Sequence, residues 1–411
     1  MSLLVGPQVA KPRVNFDIDP SVIMSTPKAC VETIRKEIEL SRDARLWQDS
    51  INMLNTVSES IFSRSAHFIL ELLQNAEDAC ARINNHSGEI KFIITPSHIR
   101  VVQNGAAFDD EDVSAICGVR SSKKPEQGTL GYLGIGFKSV FKVTDCPKIH
   151  SGGYHFKFDK SQFTDPANEP WQIIPIWLDG FTAETDTNAT LFLLPFKDQH
   201  VYDQTREELD KLDVHIFLFL KWLKRLVIVD QLAAKTQVIE NLGETNGVVS
   251  LRRGQRHSRF VVFRRIVSVP PDVATDPALE FYRRQKVKQR EVVLAFGVDE
   301  NGNLRRIEEA STLGSVSSFL PLVEEKSGAK FLVQSDFLVQ PGREAIQYEL
   351  AWNQWLLHEA AELGKDAIEQ FKLHPAWGGS FSHSSSLLST QDSRHSISYS
   401  NLNYRTHSLS S

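Results

Sequence analysis

From Lys28 to Ser87 the chain contains neither glycine nor proline. Those residues are the strongest helix breakers, so helix is predicted from about Pro27 to His86, broken near 41–49. Its last segment reads ELLQNAEDA, Glu71 to Ala79. Successive helical positions turn by about 100°, so i, i+4 and i+7 share one face. Glu71, Asn75 and Asp78 therefore fall within a narrow arc, while Ile69, Leu72, Leu73, Ala76 and Cys80 point the other way. An amphipathic helix with a solvated polar face is the ordinary meaning of such a pattern. An exposed face normally mixes in lysine or arginine, however, and this stripe has two acids and an amide without a balancing cation. That composition suits a metal ion and a hydrogen-bonded ligand.

After the helices the periodicity changes. KFIITPSHIRVVQNGAAF reads as two short strands around a turn at Pro96–Ser97. Asp109, Asp110, Glu111 and Asp112 open a short helix ending near Gly118, where acids cap the first turn and complement its dipole. A polar loop leads into GYLGIGFKSVFKV, with a helix expected from about Phe137. Strands follow around IHSGGYHFKF and at ATLFLLPF, 189–196. Helices grouped before and between strands make this an α+β domain, predicted over 28–200 behind a loose arm, 1–27. A helical connector is expected at about 204–229, within 201–245. A second α+β domain, 246–372, is read from VVSLRRG, SRFVVFRRIVSV, REVVLAFGVDENGNLRRIEE and KFLVQSDFLV, with a hairpin turn at 300–303. WNQWLLHEAAELGKDAIEQFK closes it as an amphipathic helix with Trp352 and Trp355 in the core. The Ser-rich remainder, 373–411, is expected to be disordered.

Composition narrows the function classes. The 411 residues, 41% hydrophobic and 24% charged, are enough for two or three cores. A net charge of −5 gives no overall case for a polyanion partner. Cys30, Cys80, Cys117 and Cys146 are widely spaced without a CxxC pair, so they read as reduced thiols and not as disulfides or a zinc site. The N-terminus has too short an apolar run for a signal peptide. The apolar stretch 215–229 is interrupted by Lys221, Lys224 and Arg225 and does not span a membrane. The expectation is an intracellular protein of cytoplasm or nucleus with no membrane partner. The basic runs at 251–265 and 281–290 could contact nucleic acid, although solvated strand edges are the commoner meaning of such charges.

The glycines of GTLGYLGIGFKS, namely Gly128, Gly131, Gly134 and Gly136, let backbone N–H groups turn toward an anion, with Lys138 as a point charge. The spacing misses a Walker P-loop, and no strand precedes it as a Rossmann fingerprint requires. Order along the chain says more: an acid/amide helix, a strand ending in QNGAAF, a Gly-rich segment, then a strand carrying Thr190. In this order the chain resembles the gyrase, heat-shock chaperone, histidine kinase and MutL (GHKL) ATPase superfamily, with its Bergerat-type α/β sandwich. ELLQNAEDA is similar to that group's N-box and GYLGIGFKSVFKVTD to its glycine lid. Within the group it is most similar to the sacsin and plant NO VEIN branch, through SRSAHFILELLQNAEDA, IGFKSVFKVTD and IHSGGYHFKFDK. SSFLPLVEE, FLVQSDFLVQPGREAI and WNQWL extend the likeness, which covers about 30–370.

The resemblance implies ATP and Mg2+ as ligands and a slow ATPase coupled to conformational change, in chaperone-like or scaffolding work on a protein client. It implies Glu71 as general base for the attacking water, Asn75 as magnesium ligand and Asp78 as part of the pocket wall. Gly131, Gly134 and Gly136 would wrap the phosphates with Lys138 nearby. Thr190 would lie under the adenine, and Arg343 would reach across from the second domain. His67 reads as packing or capping and not as a phosphoacceptor. One departure stands out. Where the superfamily places an aspartate for the adenine amino group, this chain has Gln103 and Asn104. An amide oxygen is a weaker acceptor than a carboxylate by about 1 kcal/mol. Two alternatives therefore stand beside ATP hydrolysis: a non-hydrolysing interaction scaffold and a nucleic-acid-associated regulator.

Overall fold

The computed structural model describes residues 26–40, 47, 51–52, 67–118, 136–180, 189–301, 303–304, 316–322, 325, 331–340 and 345–373. The glycines Gly128, Gly131 and Gly134, Arg343, and nearly all of the expected arm and tail lie outside these residues.

The principal helices are α1 (Pro27–Leu40), α2 (His67–Arg82), α3 (Asp110–Cys117), α4 (Gln199–Lys211) and α5 (Ala351–Leu373). Strands β1 (Gly88–Ile94) and β2 (His98–Gln103) form the expected hairpin. They are followed by β3 (Lys148–Ser151), β4 (Tyr154–Lys157), β5 (Ile176–Trp177) and β6 (Thr190–Pro195). Then come β7 (Leu223–Asp230), β8 (Lys235–Thr245), β9 (Val248–Arg253), β10 (Arg256–Ser268) and β11 (Gln289–Val298). The short strands β12 (Val316–Ser318), β13 (Leu320–Pro321) and β14 (Leu332–Gln334) complete the set. All belong to one mixed sheet, in the order β13-β12-β14-β11-β10-β9-β8-β7-β1-β2-β6-β3-β4-β5. The pairs β1–β7 and β12–β14 are parallel, and the other ladders are antiparallel. The chain is α+β, as expected.

Two apolar cores lie along this sheet. One gathers α2, β1, β2, β6 and β7, with Phe68, Phe92, Val101 and Leu226 fully buried. The other packs α5 on β10 and β11, with Trp352 buried and Trp355 nearly so. In β1 the alternation of Ile90, Phe92 and Ile94 inward is what a half-covered strand requires. The acid run behaves as a cap: Asp109 and Asp112 form a capping box at α3, and Arg82 of α2 pairs with both carboxylates.

Two expectations need correction. The connector is helical only through α4 and a single turn at Val214–Phe217, and LKRLVIVD is strand β7. It lies inside the sheet, parallel to β1 on one side and antiparallel to β8 on the other. A strand covered on both faces carries a nearly continuous apolar run, which periodicity does not separate from a buried helix. The segment from Phe137 is a 3-10 helix, Gly136–Lys142, and not an α-helix. Among the described residues no helix is long and apolar enough to cross a membrane.

Candidate functional site

The polar stripe of α2 is not a solvated face. Twelve of the sixteen residues of α2 are buried, Asp78 among them at 4% exposure, and Glu71 and Asn75 are half-buried. What covers the stripe is close at hand. A Cβ built on Gly136 would stand 1.9 Å from Glu71 Oε2, so the carboxylate occupies the space that any side chain at 136 would need. The backbone of Gly136 does not have a positive φ. Its glycine is required by space and not by conformation. The end of the Gly-rich stretch is thereby brought onto the first acid of the stripe.

The loop after β2 approaches the same helix. A Cβ on Gly105 would lie 2.6 Å from the Ala79 carbonyl carbon and from Cys80 N. Ala106 N–H donates to Ala79 O at 2.9 Å. Beneath this loop the ladders put Gln103 opposite Thr190, and Thr190 opposite Ser151. Thr190 is fully buried, its hydroxyl 2.6 Å from that of Ser151, which also accepts the Phe108 N–H at 2.9 Å. Gln103 is buried and its Oε1 accepts the Gly105 N–H at 2.5 Å.

Asn104 and Lys138 are directed elsewhere. Asn104 Oδ1 accepts the Glu89 N–H at 2.7 Å, so its amide serves the start of β1. Lys138 is 1% exposed, and its Nζ donates to Ile116 O at 2.6 Å and Gln172 O at 3.1 Å. It lies over the rings of Phe141 and Phe158. Burial pulls its pKa down to about 8. This lysine ties the C-terminal turn of α3 to the root of the Gly-rich segment, an assignment its sequence position beside the glycines does not disclose.

Glu77 is the residue that sequence reasoning missed. It is 5% exposed and its carboxylate accepts the N–H groups of Lys221 at 2.7 Å, Trp222 at 3.1 Å and Leu223 at 2.6 Å. Burial pushes its pKa up, with the three N–H donors working against that shift. The helix carrying the stripe is thus fastened to the first residues of β7. A signal was present: Glu77 lies four and seven positions after Leu73 and Leu70, in register with buried apolar residues.

Chemically the stripe offers hard oxygen donors from two carboxylates and an amide. Magnesium is commonly held by one or two protein oxygens together with substrate phosphates. Glu71, Asn75 and Asp78 fit that demand, and the space closed by Gly136 admits backbone close to Glu71.

Comparison with known proteins places these features. The Sacsin domain family matches residues 96–172, from the β1–β2 turn through the Gly136–Lys142 segment and β4. The chain is 31% identical over 346 residues to Protein NO VEIN of Arabidopsis thaliana, covering 79% of this chain and 12% of that protein. It is 33% identical over 109 residues to human Sacsin, covering 22% of this chain and 2% of Sacsin. A more distant match, 25% over 178 residues, is Chaperone protein HtpG of Psychrobacter cryohalolentis, covering 36% of this chain and 25% of HtpG. The chain spans a quarter or less of the length of each of these relatives. The Sacsin-domain match includes the close-packed Gly105 and Gly136, and the chain is related to the sacsin and NO VEIN proteins and, more distantly through HtpG, to the GHKL proteins.

Proposed function

We propose that the N-terminal half forms a Bergerat-type site that binds ATP with magnesium and hydrolyses it slowly, coupling nucleotide state to conformation in chaperone-like or scaffolding work on a protein client. The observation that carries this reading is the contact of Gly136 with the Glu71 carboxylate, which joins the acid/amide helix to the Gly-rich segment. The likeness to a protein named as a chaperone, HtpG, supports it. Glu71 orients and deprotonates the attacking water, and Asn75 supplies an oxygen to magnesium. Asp78 shapes the wall beside it. In this proposal Gly131, Gly134 and Gly136 would contact the phosphates, and Arg343 would contribute from the second region. The buried group of Thr190, Ser151 and Gln103 serves the base, and Gln103 is the amide on that ladder. Bound magnesium would offset phosphate charge, and ATP would supply the bond to be cleaved. Lys138 anchors the segment and leaves phosphate contact to backbone N–H groups.

The arginines of the basic run point to intramolecular roles. Arg264 pairs with Glu244 at 2.9 Å, Arg252 with Glu240, and Arg265 with Asp366. Arg253 donates to Leu212 O at 2.5 Å.

Calorimetric titration with ATP and magnesium tests the proposal. Wild type and Glu71→Ala bind, Asn75→Ala binds more weakly, and Glu71→Ala releases no phosphate. Absence of both heat and thermal stabilisation in wild type at millimolar nucleotide would leave the scaffold reading in its place.

A further inference from the structure

Two breaks in sheet register face one cleft. β7 pairs with β1 as Gly88↔Leu223 and next as Glu89↔Arg225, so Lys224 is passed over. β8 pairs with β9 as Asn241↔Leu251 and next as Gly243↔Ser250, passing over Leu242. Such bulges bend a strand and re-aim its side chains, and they recur beside functional sites. Lys224, Asn241 and Gly243 all line a cleft of about 240 Å³, where the 218–220 turn meets β10 and β11. That is just below the ~300 Å³ at which sites for drug-sized ligands begin, so the fitting ligand is small.

The charged lining is three cations, Lys221, Lys224 and Arg264, and two carboxylates, Glu244 and Glu291. Lys221 lies 3.4 Å from Glu291, and Arg264 lies 2.9 Å from Glu244. All four side chains are substantially solvated, so these pairs exchange readily for another anion. Lys224 differs. It is half-buried, and its Nζ donates to Leu220 O at 3.3 Å, with no carboxylate within 4.0 Å among the described residues. Burial lowers its pKa; the Glu77 charge opposes this and the Arg264 charge adds to it. A cation withdrawn from water without a close counter-ion is held at a cost that an anion would relieve.

We propose that this cleft binds a small polyvalent anion through carboxylate or phosphate groups, with Lys224 as the central contact and Lys221 and Arg264 joining from their surface pairs. The site is separate from Glu71 and Gly136. It touches α2 through the backbone of Lys221 to Leu223, which Glu77 holds.

The test is calorimetric titration of the full chain with citrate and, separately, with pyrophosphate, in low salt without magnesium or nucleotide. Wild type binds at least one of them. Lys224→Met weakens that binding about tenfold, the effect of one charge-assisted hydrogen bond. Glu291→Gln, which removes a competing carboxylate, tightens it. Opposite shifts from two substitutions in one cleft are not reproduced by misfolding of either variant. Citrate alone would assign a carboxylate ligand, pyrophosphate alone a phosphate one, and both a site selecting charge. The proposal is overturned if wild type binds neither at millimolar concentration, or if Lys224→Met binds as wild type does. Neither substitution touches the nucleotide residues, so failure here leaves that reading standing.

Discussion

Gly136→Ala separates catalysis from folding at this site. The added Cβ would meet Glu71 Oε2 at 1.9 Å and its Cδ at 2.6 Å. Ordinary contact begins at 3.4 Å, so the oxygen must retreat by about 1.5 Å, the difference between 3.4 Å and 1.9 Å. The obstructing atoms are the far end of a flexible side chain, and alanine suits the backbone at 136. Moving Glu71 off its rotamer costs about 0.5–1.5 kcal/mol, so the loss of stability should be on the order of 1 kcal/mol. A base displaced by more than about 1 Å, however, loses on the order of 100-fold in rate. That corresponds to about 2.7 kcal/mol of barrier. Phosphate release with ATP and magnesium, measured beside urea unfolding, should therefore show turnover lost in a folded protein. In a Glu71→Ala background the alanine at 136 should add little, because the group it displaces is gone. Unchanged turnover in a folded Gly136→Ala protein would refute the assignment of Glu71 as the base.

Two further outcomes follow from buried charges. Glu77→Ala leaves three backbone donors without their acceptor, that of Leu223 fully buried. At about 1–3 kcal/mol for each buried unsatisfied group, a loss of ~3–5 kcal/mol in urea unfolding is expected, with faster amide exchange at 221–223. A loss within ~0.5 kcal/mol, as for an ordinary surface substitution, would show that the contact does not fasten β7. Lys138 has a folded pKa near 8 against 10.5 unfolded, because burial disfavours its charge. Between those values the unfolded chain binds more protons, so stability rises with pH. The gain over that window is at most ~3 kcal/mol at about 1.4 kcal/mol per unit. Urea midpoints at pH 7.5 and pH 10 should show wild type gaining on Lys138→Met, and equal gains would refute the buried, charged lysine.

Legibility followed the range of the forces involved. The helix α2, the β1–β2 hairpin, the Asp109 cap and α5 all come from contacts a few residues apart, and the structure bears out each of them. The candidate site is legible in sequence only as residue types on one helix. The approach of Gly136 to Glu71 is not legible there, because it joins segments distant along the chain. Asn104 looked equivalent to Gln103 by position. The ladder makes them different, turning Gln103 toward Gly105 and Asn104 toward Glu89.

By itself, then, the sequence determined the periods: where helix gives way to strand, which face of α2 is polar, and which residues cap the short helix. Tertiary structure decided the neighbours. It made LKRLVIVD a strand by setting it between β1 and β8, turned Lys138 inward, and set Glu77 against Leu223 across 146 residues of chain. Local pattern is read from torsion preference and spacing. The partner of a buried charge or of a central strand is known only once the chain has closed upon itself.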